Sequence, residues 1–131
     1  MQAGLPIRSC ANGTNVPMFR TNLKCRSAGK FGCNMVVSMR PFKGADVGKV
    51  VEICSRYDDA HGAPVHVGAG EAIGVGDITR PDWGDPVVVL DDEVCVWWAC
   101  GVTAQESIEN SGVDFAICHA PGMMFVADVR R

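Results

Sequence analysis

The sequence predicts an α+β fold, a central mixed β-sheet with a few flanking helices, in one domain spanning residues 1–131. Three observations carry that expectation. Runs rich in β-branched and aromatic residues recur along the chain. Only the stretches 44–57 and 103–112 carry helical signals. Strands and helices do not alternate as regular β-α-β units, which argues against a doubly wound parallel sheet. A chain of 131 residues is long enough to bury one real core.

The elements follow in order. "NVPMFRTNL" (15–23) and "NMVVSMRPF" (34–42) are β-rich runs, separated by a segment whose Gly29 and Gly32 mark turns. In "GADVGKVVEICSRY" (44–57), Val47, Val50, Val51 and Cys54 fall at helical spacing, with Lys49, Glu52 and Arg56 on the other side. The glycine-punctuated stretch 61–86 holds one short strand, around Val65 and Val67. "PVVVL" (86–90) and "EVCVWWAC" (93–100) are near-continuous apolar runs, as in strands buried on both faces, with Asp91-Asp92 turning between them. "TAQESIENSG" (103–112) reads as a short helix: Thr103 as N-cap, Glu106 completing a capping box and Gly112 ending it. "DFAICHA" and "MMFVADV" read as two last strands broken by Pro121-Gly122.

Charge and composition remove several function classes. The net charge is −3 and the Lys and Arg residues are scattered, so neither nucleic acid nor a membrane surface is an expected partner. No apolar run approaches the ~20 residues a bilayer crossing needs. The N-terminal stretch lacks a basic segment followed by an apolar one, as a signal peptide would have. A cytoplasmic setting follows, or the mitochondrial matrix in a eukaryote. Seven cysteines, an odd number in no CxxC zinc pattern, then read as reduced thiols, with a disulfide-stapled secreted protein as the alternative.

The chemistry-bearing residues fall into three groups. Every histidine stands beside an Ala-Pro step: His61 and His66 bracket one in "HGAPVH", and His119 precedes another in "CHAPG". Pro64 holds Ala63 extended and Gly62 permits a bend, so the segment could aim both imidazoles inward. Imidazole trades protons near neutral pH; equally, each ring could simply satisfy a backbone carbonyl. No HxH or HExxH spacing supports a metal site. Next, "WWACGVTAQES" ends a strand at Cys100, turns at Gly101 and starts a helix at Thr103. Free N–H groups there could hold an anion, and Cys100 is a thiolate nucleophile, a small residue that admits a carboxylate, or one more buried thiol. Last, Arg20 and Arg40 each sit in a strand-like run, where a guanidinium fork suits a carboxylate or a structural ion pair. Asp82 in "RPDWGD" either bonds its own turn or helps hold substrate. The glycines of "VGAGEAIGVGD" match neither GxGxxG after a strand nor a Walker motif, so nucleotide binding is not expected.

Together, "NVPMFRTN", "MVVSMRP", "HGAPVHVG", "RPDWGD", "WACGVT", "HAPG" and "MFVADV" resemble, in order and spacing, the hydro-lyase family related to D-glutamate cyclase, from about Leu5 to Val129. The resemblance implies an α+β enzyme that converts D-glutamate to 5-oxo-D-proline with loss of water, or acts on a related small carboxylic or amino acid, with no cofactor. It also implies that this chain corresponds to the C-terminal half of the family's usual length. Departures include Cys118 for a usual threonine, Met123 for a usual histidine, and Ala69-Gly70 for a usual Asp-Pro. On this reading His66 and His119 transfer protons, His61 orients them, Arg40 or Arg20 clamps a carboxylate, and Cys100 with the Gly101–Thr103 backbone supplies the anion site. The three rings are then expected to meet at one cavity. The alternatives are a non-catalytic small-carboxylate-binding module and an inactive, truncated family member; self-association is left open.

Overall fold

The computed structural model describes residues 4–123. A short helix, α1 (Arg8–Asn12), ends at Gly13, whose φ of 65° supplies the left-handed C-terminal turn. Then come β1 (Met18–Lys24), β2 (Asn34–Lys43), a single 3-10 turn at Gly44–Asp46 leading into α2 (Val47–Cys54), β3 (His66–Val67), β4 (Glu93–Ala99) and α3 (Val102–Asn110). The strands form one sheet in the order β1-β2-β4-β3. The fold is α+β, as the sequence predicts. All three pairings are antiparallel, so the sheet is not mixed; among the described residues no crossover puts two parallel strands side by side. No helix among the described residues is long and apolar enough to cross a membrane.

Strand alternation divides the core in two. On one face Phe19, Val37, Met39, Cys95 and Trp97 pack under Ile73 and Val75, with Phe19 and Trp97 edge to face at 5.5 Å. No α-helix among the described residues covers this face. A 3-10 turn at Gly70–Ile73 and the coil around it do, and Gly70 lies so close to the Trp97 ring that an added Cβ would come within 3.1 Å of it. On the other face Phe42, Val96 and Trp98 pack against Val50 of α2, and Met18 and Val36 against Val102 of α3. Pro41 sits in the central strand β2 opposite Cys95. The last bond from β1's side is Met39 N–H to the Pro17 carbonyl; the donor Pro41 lacks therefore falls where β1 no longer runs.

Three expectations about elements give way here. Residues 86–90 are not a strand. Val87 and Val89 pack on the Trp97 core while Val88 is 72% exposed, because the free edge of β4 is already occupied by β3. The segment 114–120 makes no ladder, leaving Phe115 and Ile117 exposed. The strand expected over "MMFVADV" lies, after Met123, outside the described residues. Thr103, expected as an N-cap, sits inside α3, whose N-cap is Gly101. Its hydroxyl crosses to β2 instead, accepting the Val36 N–H at 3.0 Å and donating to the Val36 carbonyl at 3.2 Å. Cys100 N–H still donates to the Val36 carbonyl at 3.0 Å, but the Cys100 carbonyl is taken by Thr103 N–H, so the hydroxyl stands in for the acceptor that Val36 N–H would otherwise lack.

Candidate functional site

The free edge of β4 presents successive carbonyls from Cys95, Trp97 and Ala99. Gly68 N–H takes the first and Val65 N–H the second, both at 2.8 Å. The third is taken by a side chain: His61 Nδ1 lies 2.7 Å from the Ala99 oxygen. A carbonyl only accepts, so Nδ1 carries the proton and Nε2 keeps the lone pair, the tautomer a proton acceptor needs. Gly62 (φ 64°) makes the bend that returns the chain from α2 to this edge.

His61 lines a hollow of about 300 Å³ between α2 and the Trp98 face of the sheet, at the small end of the range for ligand sites. Its walls are apolar: Leu5 and Ile7 from the N-terminal segment, Val50 and Ile53 from α2, and Phe42 and Trp98 from the sheet. Cys54 and Tyr57 also line it. Into this lining β2 sends one charged group, Arg40. Its register partner is Val96, so it shares the face of Trp98, and its guanidinium lies 5.7 Å from the Trp98 ring. Nε is buried and has no hydrogen-bond partner, and no carboxylate among the described residues pairs with it. Burial pushes the guanidinium's pKa down; the thiols of Cys10, Cys54 and Cys100, within electrostatic reach, act the other way. A charge held this way, without a counter-ion, is complementary to an anion.

The other expected site residues are placed elsewhere. Arg20 is fully engaged: Nη1 reaches Asp82 at 2.9 Å, Nη2 and Nε reach Glu106 at 2.5 and 3.1 Å, and the group stacks 4.4 Å over Trp83. The Glu106 hydrogen bond chiefly raises its pKa, against some desolvation, and Asp82 adds to the rise. The other Asp82 oxygen accepts the Arg20 backbone N–H at 2.8 Å. Asp85 likewise accepts from Asn15 N–H at 2.7 Å, so the "RPDWGD" loop clasps the start of β1. Gly84 (φ 80°) runs so close that an added Cβ would sit 2.1 Å from the Val16 oxygen. His119 is on a loop tied to α3, where the Gln105 side-chain N–H donates to its carbonyl at 2.7 Å.

His66 pairs with Trp97, on the sheet face opposite Arg40, and donates Nε2–H to the Ala69 carbonyl at 2.9 Å. His119 Nδ1 lies 3.0 Å from the Ala120 oxygen. All three imidazoles thus satisfy backbone carbonyls, and only His61 lines the hollow. Cys100 packs against Met18, Val36 and Val102 at the β4–α3 turn. The Thr103 N–H already donates to the Cys100 carbonyl at 3.0 Å, which removes it from the expected backbone anion site. Among the described residues no cluster of three or more His, Cys, Asp or Glu could hold a metal ion.

The hollow's walls were partly visible beforehand, since Val50 and Cys54 belong to the apolar stripe of α2 and Trp98 to the apolar run of β4. Nothing local marks Tyr57, Leu5 or Ile7 as neighbours of Arg40.

Comparison of the sequence with known proteins matches the chain to a family. Residues 1–128 match the sequence profile described as D-glutamate cyclase. Among similar proteins, one from Bradyrhizobium diazoefficiens named "Putative hydro-lyase" is 53% identical over 131 residues, covering 100% of this chain and 48% of its own length. Others of the same description come from Cupriavidus pinatubonensis (50% over 129 residues) and Methylobacterium sp. strain 4-46 (54% over 131). The chain spans about half the length of the curated relatives it matches. With its profile matched over nearly the whole chain, this protein belongs to the D-glutamate cyclase family of hydro-lyases.

Proposed function

We propose that the hollow between α2 and the sheet is a carboxylate site serving a carbon–oxygen hydro-lyase reaction, the conversion of D-glutamate to 5-oxo-D-proline and water or its counterpart on a related small carboxylic acid. The observation that carries this reading is the Arg40 guanidinium, desolvated, without a counter-ion among the described residues, in the same hollow as the His61 imidazole.

The cyclisation forms one C–N bond and breaks one C–O bond. The substrate ammonium gives up two protons in all, and the departing γ-carboxyl oxygen leaves with both as water. Arg40 is suited to hold the α-carboxylate. The apolar walls favour the uncharged forms of the other two groups, the free amine that attacks and the carboxylic acid that is attacked. His61 Nε2 is the free lone pair that can take the amine's proton and return it to the leaving oxygen.

Turnover of D-glutamate, followed by the appearance of 5-oxo-D-proline, tests the proposal. His61→Ala is expected to lower kcat by roughly 10²–10⁴-fold and Arg40→Gln to raise KM. Unchanged kinetics in both variants, with the parent's thermal melt, would refute it.

A second reading has a specific observation in its favour. Only one of the three imidazoles lines the hollow, so a pair of histidines acting as base and acid does not meet there. On that reading the chain is a small-carboxylate-binding module without turnover. Calorimetric binding in the absence of product formation would support it.

A further inference from the structure

We infer that the hollow selects carboxylates whose remainder is uncharged, and that a zwitterionic amino acid is its weaker ligand. The inference rests on the proposed reading of the hollow as a carboxylate site and specifies which carboxylates it takes.

The argument is one of charge balance. No aspartate or glutamate is among the described residues lining the hollow, and Asp58, whose carboxylate lies beside Gly62, is exposed to water outside that lining; the charged member is Arg40, and the other walls are hydrocarbon, aromatic ring, thiol, phenol and imidazole. One guanidinium matches one carboxylate. An ammonium carried in with it would leave water for a place where no carboxylate among the described lining residues receives it, and would lie in the field of Arg40's own positive charge. A second carboxylate would likewise have no cation left among these lining groups. His61 does not repair the deficit: its Nδ1–H is spent on the Ala99 carbonyl, and it would have to gain a further proton to act as a cation. A neutral, compact body gains instead from Phe42, Val50, Ile53 and Trp98.

The ordering this imposes is unusual for an enzyme that consumes an amino acid. The cyclic lactam acid, with one carboxylate and no other charge, suits the hollow better than open-chain glutamate at neutral pH. A carbocyclic acid of the same size, with no polar ring atoms, suits it at least as well. Glutamate binding is favoured only with its amine and second carboxyl uncharged, the forms the chemistry needs and water rarely supplies.

The test is calorimetric titration of the purified chain at neutral pH with three probes: D-glutamate, 5-oxo-D-proline and cyclopentanecarboxylate. Arg40→Gln and Arg40→Met serve as variants, each checked by thermal melt; both remove the charge, and the methionine variant answers for the site if the glutamine variant does not fold. Both cyclic acids are expected to bind at least tenfold more tightly than D-glutamate, and to weaken at least tenfold in a folded variant. D-Glutamate binding as tightly as either cyclic acid, with dependence on Arg40, would overturn the selectivity and leave the carboxylate site standing. No binding by any probe, or binding indifferent to Arg40 in folded variants, would overturn both.

Discussion

Replacing Arg40 with methionine should make this protein more stable while removing its carboxylate affinity. The Arg40 guanidinium lies against Trp98 with its Nε buried and unbonded, and no carboxylate among the described residues depends on it. A buried donor left unsatisfied costs about 1–3 kcal/mol. The contact with Trp98 that methionine would forfeit lies at 5.7 Å, near the outer reach of such pairs, and is worth ~0.5–1 kcal/mol, and the unbranched thioether refills most of the space left by the arginine stem. The difference is a gain of about 1 kcal/mol, or roughly 3–5 °C in melting temperature for a domain of this size. Buried charges replaced by apolar side chains stabilise other proteins in the same sense.

Arg20→Met is the control, because it should move the other way. Its guanidinium is shared by Asp82 and Glu106, and both carboxylates would lose their partner. These groups are part-exposed, so the expected loss is only about 1 kcal/mol. Thermal melts by circular dichroism and urea titrations, compared at equal m-value, measure both variants. Arg40→Met melting at or below the parent, with m unchanged, would refute the reasoning, for it would mean that the guanidinium is held by favourable contacts in the folded protein.

Two further outcomes follow from the fold. Thr103→Val removes a hydroxyl that serves both the N–H and the carbonyl of Val36, so it should cost about 1–3 kcal/mol; Thr103→Ser should recover most of it, with chemical denaturation as the measure. Glu93 sets an acid limit. Burial works to raise its carboxyl pKa, but hydrogen bonds from Arg8 and from Leu90 N–H outweigh it and leave the value below the usual carboxylate range. A lowered folded-state value means stability that is present above the unfolded carboxyl's pKa, about 4.5, and is lost as pH falls through the folded one. Melting temperature should therefore drop below about pH 4.5 in the parent, and Glu93→Gln should flatten that part of the profile.

Local pattern carried a good deal of the architecture. β1, β2, β4, α2 and α3 lie within a few residues of where alternation and helical spacing put them, because each buries a face whose period is written in consecutive residues. The misses share one cause. "PVVVL" has the composition of a buried strand, but a strand needs a free edge, and the one beside β4 belongs to His66–Val67. Thr103 has the chemistry of an N-cap, but a rung of β2 left open by the β4–α3 turn claims its hydroxyl.

The same division runs through the site. Residue types and the ordered motifs were enough to point to the hydro-lyase family and to Arg20 and Arg40 as candidates for a carboxylate clamp. Which arginine could not be read along the chain. Arg20 and Arg40 sit in similar runs, yet one meets two carboxylates, from a loop 62 residues away and from α3 86 residues away, and the other meets none among the described residues. Nor could the imidazoles' positions be read. His61 and His66 are five residues apart, and strand register sends one to the Trp97 face while a glycine bend brings the other to the hollow beside Arg40. Partnership and solvent exclusion depend on which distant segments arrive at the same place, and those are properties of the assembled sheet and its covering layers.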